Sequence, residues 1–370
     1  MPIKKKRQKV SRVPLKRSPH TDGLSQIAKR LSSFIADKSP ALVKFLRQEI
    51  SLVTFKNLAK HPAFGLGLVS LIWGASAPIT KVALFEIGPA SLLFLRMSVA
   101  AIILFPIVVR EHHHFTRKEE IHLFLSSVVG IGAPVYLIYL ALPSVASLNV
   151  PVIHAMSPFL LVILGWIFFR EKIQKNKYYG MMLSFAGAFV ITVLPQMMYD
   201  PKVLGVFSFA KMSATGGYLI IILSCILGAI GTLLIKPLKH ISGAVMAFWQ
   251  AAIIAIVFLP LAIAEVPSNF IPTLSPMTVF AIFYVAVISS VVGYTIYNDS
   301  VHKLQMSEIG LLSYLSPVGA LVIAGPLLHE MPDIWFFIGS ILVILGVWIA
   351  EKKSKLLKKS KILASPSTSK

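Results

Sequence analysis

Between Ala63 and Ala350 the chain is written as apolar runs of about twenty residues separated by short polar punctuation. A helix rising 1.5 Å per residue needs about this length to cross a hydrocarbon core of roughly 30 Å. Ten runs are predicted, near 63–83, 89–109, 121–142, 147–169, 178–195, 216–236, 243–264, 276–297, 306–328 and 334–350. Each is continuously apolar, whereas a lipid-facing strand alternates polar and apolar positions, so the runs read as membrane helices and not as barrel strands.

Composition sharpens this reading through the placement of charge. The 370 residues are 56% hydrophobic and 14% charged, outside the range of ordinary soluble domains. A net charge of +21 would suggest nucleic acid in a soluble protein. Residues 1–61, however, hold 15 Lys+Arg against 3 acids, and residues 351–370 hold 7 against 1. The basicity lies in two tails, so anionic lipids are the expected partners and nucleic acid is not, even though MPIKKKRQKV looks like a nuclear-import signal. Residues 41–60 place Leu42, Phe45, Leu46, Ile50, Val53 and Leu58 near one helical face, the pattern of an interfacial amphipathic helix. The first sixty residues lack the long apolar core of a cleavable signal peptide. The lone Cys225 excludes an intramolecular disulfide and is assigned to packing.

With ten spans, 32 of the 36 Lys and Arg fall on one face and only Lys202 and Lys211 on the other, while Lys81 and Arg96 sit within spans. The excess of basic residues on cytoplasmic loops places both termini inside a plasma or inner membrane.

The chain also repeats itself. MSPFLLVILGWIFFRE (156–171) returns as LSPVGALVIAGPLLHE (315–330), and at this offset of 159 Ser157 meets Ser316, Glu171 meets Glu330, Gly180 meets Gly339 and Gly187 meets Gly346. Upstream an offset of 154 pairs Gly74 with Gly228, Phe94 with Phe248 and Pro106 with Pro260. An SSVVG string at 126 and 289 obeys neither offset. Five spans per copy is an odd number, so the second copy is predicted upside down, and inverted repeats are a transporter signature.

LIWGASAPITKVAL (71–84), Arg96 in FLRMS, and the SP, then Glu, then G-x6-G pattern of the fourth and fifth spans resemble the drug/metabolite transporter superfamily, specifically its ten-span members built from two EamA domains. The resemblance covers about 62–350. The second copy departs from it at Gln250, where Arg96 would repeat, and in ILGAIG, which lacks a counterpart of Trp73. It implies an all-α integral membrane protein with ten transmembrane helices in two inverted five-helix repeats, a central cavity and secondary transport. The expected organisation is a basic cytoplasmic tail (1–61), repeat 1 (62–195), an extracytoplasmic connecting loop (196–215), repeat 2 (216–350) and a second basic tail (351–370).

Candidate site residues are the polar groups that the bilayer penalises. A Lys, Arg or Asp at mid-bilayer costs about 2.5–3.5 kcal/mol on insertion scales. Arg96 lies seven residues inside Pro89, so it is either an anchor for an anionic solute or a bundle-stabilising cation bonded to helix carbonyls. His154 shares a face with Pro151, Ser157 and Pro158 that is predicted to point inward, because each proline frees a carbonyl needing a partner. It is read as a proton or substrate ligand, with a plain hydrogen-bonding histidine as the alternative. Glu308, beside Ser307, is read as a helix cap or a gating carboxylate. Asp299 and His302 are expected to be solvated, and Lys81, Lys236, Glu171 and Glu330 to snorkel or pair near span ends. In the family's cavity arrangement Trp73, Ser76, Tyr136, Tyr139, Thr232, Tyr294, Tyr297, Ser313 and Tyr314 supply aromatic and hydroxyl contacts.

No enzyme motif is present, no cofactor is expected, and the HHHF of 112–115 is not read as a metal site. The reading is a secondary transporter exporting a small organic metabolite, amino acid-like or drug-like, with proton coupling as an option. The alternatives are a phosphorylated-solute or nucleotide-sugar exchanger, and a non-transport membrane factor acting through its tails. Association as a homodimer is left open.

Overall fold

Every predicted apolar run contains a helix. The computed structural model describes residues 62–111, 113, 115–154, 157–169, 175–192, 194, 214–266, 274–304, 309, 312–313, 315–330 and 332–363. The N-terminal tail with its predicted interfacial helix, Glu171, Glu308 and Tyr314 lie outside the described residues. We number the helices α1 (Pro62–Ala83), α2 (Pro89–Arg110), α3 (Arg117–Ser144), α4 (Asn149–His154 with Ser157–Phe169), α5 (Lys175–Thr192), α6 (Ala214–Ile235), α7 (Gly243–Glu265), α8 (Pro276–Val301), α9 (Ser316–Leu328) and α10 (Ile334–Leu363). Among the described residues no strand occurs. Seven helices, α1–α4 and α6–α8, are long and apolar enough to cross a membrane, and α9 and Ile334–Gly346 of α10 are shorter apolar helices.

Local chemistry sets the boundaries. Thr116 and Glu119 form a capping box at the start of α3, and the Ser242 and Ser275 hydroxyls cap α7 and α8 by accepting from the Val245 and Thr278 amides. The first amides of α2, on Ala90 and Ser91, donate to the Glu265 carboxylate at the end of α7, 2.9 and 2.8 Å away. An acid at a helix N-terminus meets the positive end of the dipole.

The third helix of each half is interrupted by π-helical backbone, at Val128–Gly132 in α3 and Tyr284–Val292 in α8. These are the segments that carry the two SSVVG strings. A π turn rotates the side chains that follow it relative to a regular helix. The Ser290 hydroxyl donates to the Val285 carbonyl five residues back, at 2.8 Å, the spacing of a π turn.

Contacts between helices carry a regular pattern. α1 runs parallel to α9: Gly67 lies against Leu312 and Leu315, and Lys81 reaches Glu330. α6 runs parallel to α4, with Asn149 bonded to Tyr218 and His154 beside Ser224. α2 and α7 are antiparallel, joined by Ser91 to Ala262 at one end and by the Phe105 and Phe248 rings at the other. α5 and α10 are antiparallel as well: a Cβ on Gly346 would strike the Gly180 backbone, and one on Gly187 would strike Gly339. Only glycine at these positions lets the two backbones approach so closely.

Among the described residues the core falls into two clusters, a large one centred on α2 and α7 and a small one that joins Leu148 and Val152 at the start of α4 to Ala320 and Ala324 of α9 and Phe336 and Val343 of α10. Leu92, Leu93, Met97 and Leu104 of α2 are fully buried together with Met246 and Ile254 of α7. The outer surface is also apolar: Trp166, Ile167 and Phe168 of α4 and Ile341, Ile344 and Trp348 of α10 are exposed. A row of large exposed hydrophobic side chains along long helices is the surface a lipid environment stabilises.

Candidate functional site

A cavity of about 250 Å³ lies between α1, α3, α4, α6, α8 and α9, with Arg96 of α2 in its wall. On α3 the lining residues Ile131, Pro134, Val135, Ile138, Tyr139 and Leu142 recur with helical period, so one stripe of the helix faces inward. Tyr136 lies outside that stripe; its ring packs on Phe258 of α7, 5.3 Å between centroids. It is therefore removed from the cavity set, because a helix turns about 100° per residue.

Arg96 is 4% exposed. Its Nε donates to Ser290 Oγ at 2.9 Å, Nη1 to the Tyr139 hydroxyl at 2.6 Å and Nη2 to Ser289 Oγ at 3.3 Å. The partners are neutral hydroxyls, not the helix carbonyls the sequence reading anticipated. No acidic side chain lines the cavity among the described residues. The guanidinium is thus held in place without its charge being neutralised, and in a low-dielectric wall such a charge attracts an anionic group strongly.

Trp73 forms an aromatic wall. Its indole donates to the Ser289 carbonyl at 3.1 Å, and its ring lies 5.4 Å from Tyr294 and 5.1 Å from Tyr297. Gly293 makes room for the indole, since a Cβ there would come within 2.7 Å of Trp73 Nε1. The Tyr297 and Thr232 hydroxyls pair at 2.8 Å. Ser76 and Ser313 donate to carbonyls one turn back, at 2.9 and 3.0 Å, which leaves their acceptor lone pairs available to the cavity.

His154, Pro151 and Ser157 all line the cavity, the inward face that the prolines of α4 predicted. His154 Nε2 lies 3.4 Å from the Ser224 hydroxyl, which also donates to Ile221. Of the ten predicted substrate contacts, eight line the cavity: Trp73, Ser76, Arg96, His154, Ser157, Thr232, Tyr294 and Ser313. The sequence reading passed over Ser289, Ser290 and Ser224. The duplicated SSVVG string was the one available signal for the first two.

An ion pair sits at the end of the bundle that carries the α1–α2, α3–α4 and α9–α10 turns. Lys81 Nζ lies 2.7 Å from Glu330 Oε1 and donates to the Val145 carbonyl at 2.8 Å. Glu330 Oε2 accepts from the Ser147 hydroxyl at 2.7 Å and the Leu148 amide at 3.3 Å. His329, at φ 54°, takes the left-handed conformation that ends α9 just before Glu330. Thr80, Leu142 and Val150 line the cavity directly beside this knot.

The opposite end carries a second set. Lys236 donates to the Leu304 carbonyl at 3.2 Å, and Asp299 Oδ1 accepts from the Gly243 amide at 2.7 Å. α8 extends to Val301, so Asp299 belongs to its last turn and not to a solvated loop. His302 is not solvated either: both of its ring nitrogens are buried. Burial, reinforced by Lys236, His240 and Lys303, pushes its pKa down to about 4.

The model of the EamA-like transporter family matches residues 63–193 and 215–351. An uncharacterized transporter of Archaeoglobus fulgidus is 25% identical over 291 residues, covering 78% of this chain and 96% of its own length. Proteins of Salmonella typhimurium and Escherichia coli, each named "Probable amino-acid metabolite efflux pump", are both 24% identical, over 79% and 76% of this chain and 95% and 92% of their own lengths. A crystal structure with 14% identity has a TM-score of 0.59 over 80% of this chain and 98% of that one, a likeness of fold.

Proposed function

The chain belongs to the EamA-like transporter family, a multi-pass membrane protein that carries a small molecule across the bilayer, and we propose that it exports an organic carboxylate with an apolar body by alternating access. The observation that carries this reading is Arg96, a buried cation in the cavity wall held by three hydroxyls and opposed by no acid among the described lining residues. A solute carboxylate supplies the missing charge. Trp73, Tyr294 and Tyr297 offer the flat apolar wall that an aromatic or branched side chain packs against. The family members named amino-acid metabolite efflux pumps agree with such a solute. A phosphorylated solute or nucleotide sugar would call for several convergent cations, and the described lining supplies only Arg96.

Ten spans in two inverted five-helix repeats complete the proposal. The pairing of α1 with α9 and of α6 with α4, both parallel, and the self-paired antiparallel crossings α2/α7 and α5/α10, form the set that an exchange of the two halves reproduces. This supports a pseudo-two-fold axis in the membrane plane. Both termini lie in the cytoplasm, which the distribution of Lys and Arg supports. The Lys81–Glu330 knot then holds the extracytoplasmic end closed, and its rupture admits the outward-facing state.

The test is flux in liposomes. Purified protein is expected to move radiolabelled amino acids or their acidic metabolites, and Arg96→Ala to abolish that movement. No carboxylate flux across a broad metabolite panel would end the proposal.

A further inference from the structure

The α2–α3 turn and the α6–α7 turn meet at the Lys236 end of the bundle, outside the cavity lining. There His113, Glu119 and His240 bring their ligand atoms within 4.8 Å of one another. We infer that these three residues form a binding site for a divalent transition cation of the zinc class, one that ties the first half of the chain to the second.

The geometry is largely built before any ion arrives. His240 Nε2 already lies 2.6 Å from Glu119 Oε1. Glu119 is aimed by its helix cap, in which Oε2 accepts from the Thr116 amide at 2.8 Å, so Oε1 is the oxygen turned toward the histidines. Ligating carboxylates and imidazoles are usually held by such second partners. His113 is oriented by its edge contact with the Phe115 ring, 4.8 Å between centroids, and Phe115 is itself buried against Trp249 of α7. The His113 and His240 rings lie 5.4 Å apart. Drawing three donors from within 4.8 Å onto one ion at roughly 2.0–2.2 Å takes only side-chain movement. The His240 side chain is 49% exposed, so an ion can enter from solvent and water can complete the coordination shell.

The donor set selects the cation. Two imidazoles and one carboxylate suit zinc, nickel, copper or iron, whereas magnesium and calcium prefer oxygen-only shells. The donors come from the α2–α3 connection, the first turn of α3 and the α6–α7 connection, so this site is distinct from chelation by the contiguous His112–His114 run, which needs neither Glu119 nor His240.

The experiment uses the full chain purified in detergent through a tag without histidine and stripped with a chelator. Titration with Co²⁺, followed by its visible d–d absorption, and with Zn²⁺, followed by calorimetry, is expected to give one ion per chain and a raised thermal midpoint. His240→Ala is expected to lower affinity at least tenfold, the size of change that loss of a ligand or its support brings. Glu119→Gln is expected to do the same; because Glu119 also caps α3, the half-exposed His240 provides the variant that spares the fold. The double replacement of His112 and His114 by Ala is expected to leave affinity unchanged. Binding that survives His240→Ala and is lost in that double replacement would make the histidine run the chelator and overturn the site. Absence of Co²⁺ and Zn²⁺ binding at micromolar concentration would reduce the cluster to a His240–Glu119 ion pair.

Discussion

Ser184 of α5 donates to the carbonyl of Val343 in α10 at 3.3 Å, and the two residues are 159 positions apart, the offset of the sequence repeat in this region. Such a contact between repeat mates is what the proposed two-fold relation between the copies requires along its axis. The flanking glycines cross over around it: Gly180 lies against Gly346 and Gly187 against Gly339, so each meets the repeat mate of the other. Ser184 shares its proton with the Gly180 carbonyl at 3.0 Å, so the interhelical bond is a modest one. Ser184→Ala is expected to cost about 0.6 kcal/mol, the average for a hydrogen bond between membrane helices. Gly187→Leu is expected to cost far more, because a side chain there must push the α10 backbone away. Thermal melting in detergent checks both, and a Gly187→Leu protein as stable as Ser184→Ala would refute the close crossing.

Arg96 makes the second prediction. Arg96→Lys keeps the charge but loses the planar fork that engages Ser289, Ser290 and Tyr139 together. Each bond to a charged group contributes about 1.5–3 kcal/mol. Uptake by proteoliposomes is expected to fall by at least about tenfold for Arg96→Lys and to vanish for Arg96→Ala. Tyr139→Phe removes one acceptor and is expected to raise the apparent KM more than it lowers the maximal rate.

The Lys81–Glu330 pair leads to an accessibility experiment. Its side chains are 15% and 16% exposed, so breaking it leaves a poorly solvated charge. In a Cys225→Ala background, a cysteine at Thr80 is expected to react with an impermeant thiol reagent faster when Lys81→Met is present. A double-mutant cycle of Lys81→Met with Glu330→Gln is expected to show coupling of about 0.5–3 kcal/mol. Unchanged labelling and zero coupling would remove the pair as a latch.

His154 bears on coupling. It lines the cavity within reach of Ser224 and has no acidic neighbour among the lining residues described. A proton-coupled exporter that uses this imidazole is expected to lose gradient-driven flux in His154→Ala while keeping downhill exchange and an intact melting profile. Gradient-driven flux equal to that of the parent would leave His154 a packing residue.

His302 predicts a pH dependence of stability. Its pKa is pushed down to about 4 from an ordinary 6.5, so the unfolded chain takes up the proton first as pH falls. The stability tied to neutral His302 is complete above about 6.5 and is lost as pH drops from there toward 4. Melts at pH 7.5 and 5.0 are expected to show a lower midpoint at pH 5.0, and His302→Gln to shrink the difference. An equal difference in the variant would sink this assignment.

Much of the fold was legible in one dimension. The positions of the helices followed from the apolar runs, and among the described residues seven of them reach the length and hydropathy that a bilayer crossing needs. The inward face of α4 was readable from its prolines, and the glycine spacing of α5 and α10 announced a close crossing. Tyr136 was misplaced because a residue type known to line cavities was assigned without knowing which stripe of α3 faces α6 and which faces α7. His302 was misplaced because a polar residue in a short connection looks solvated, whereas at the end of α8 its ring nitrogens are buried.

What the sequence determined by itself was therefore the apolar surroundings and the approximate positions of the helices, both of which depend on residues near one another in the chain. Which groups meet was decided by tertiary structure alone: Arg96 with hydroxyls of α3 and α8, Lys81 with Glu330, and His113 with His240. The physical reason is that a buried charge needs partners but does not encode where they come from. Hydroxyls, carbonyls and acids all satisfy a guanidinium or an ammonium, and only the packing of helices distant in sequence selects among them.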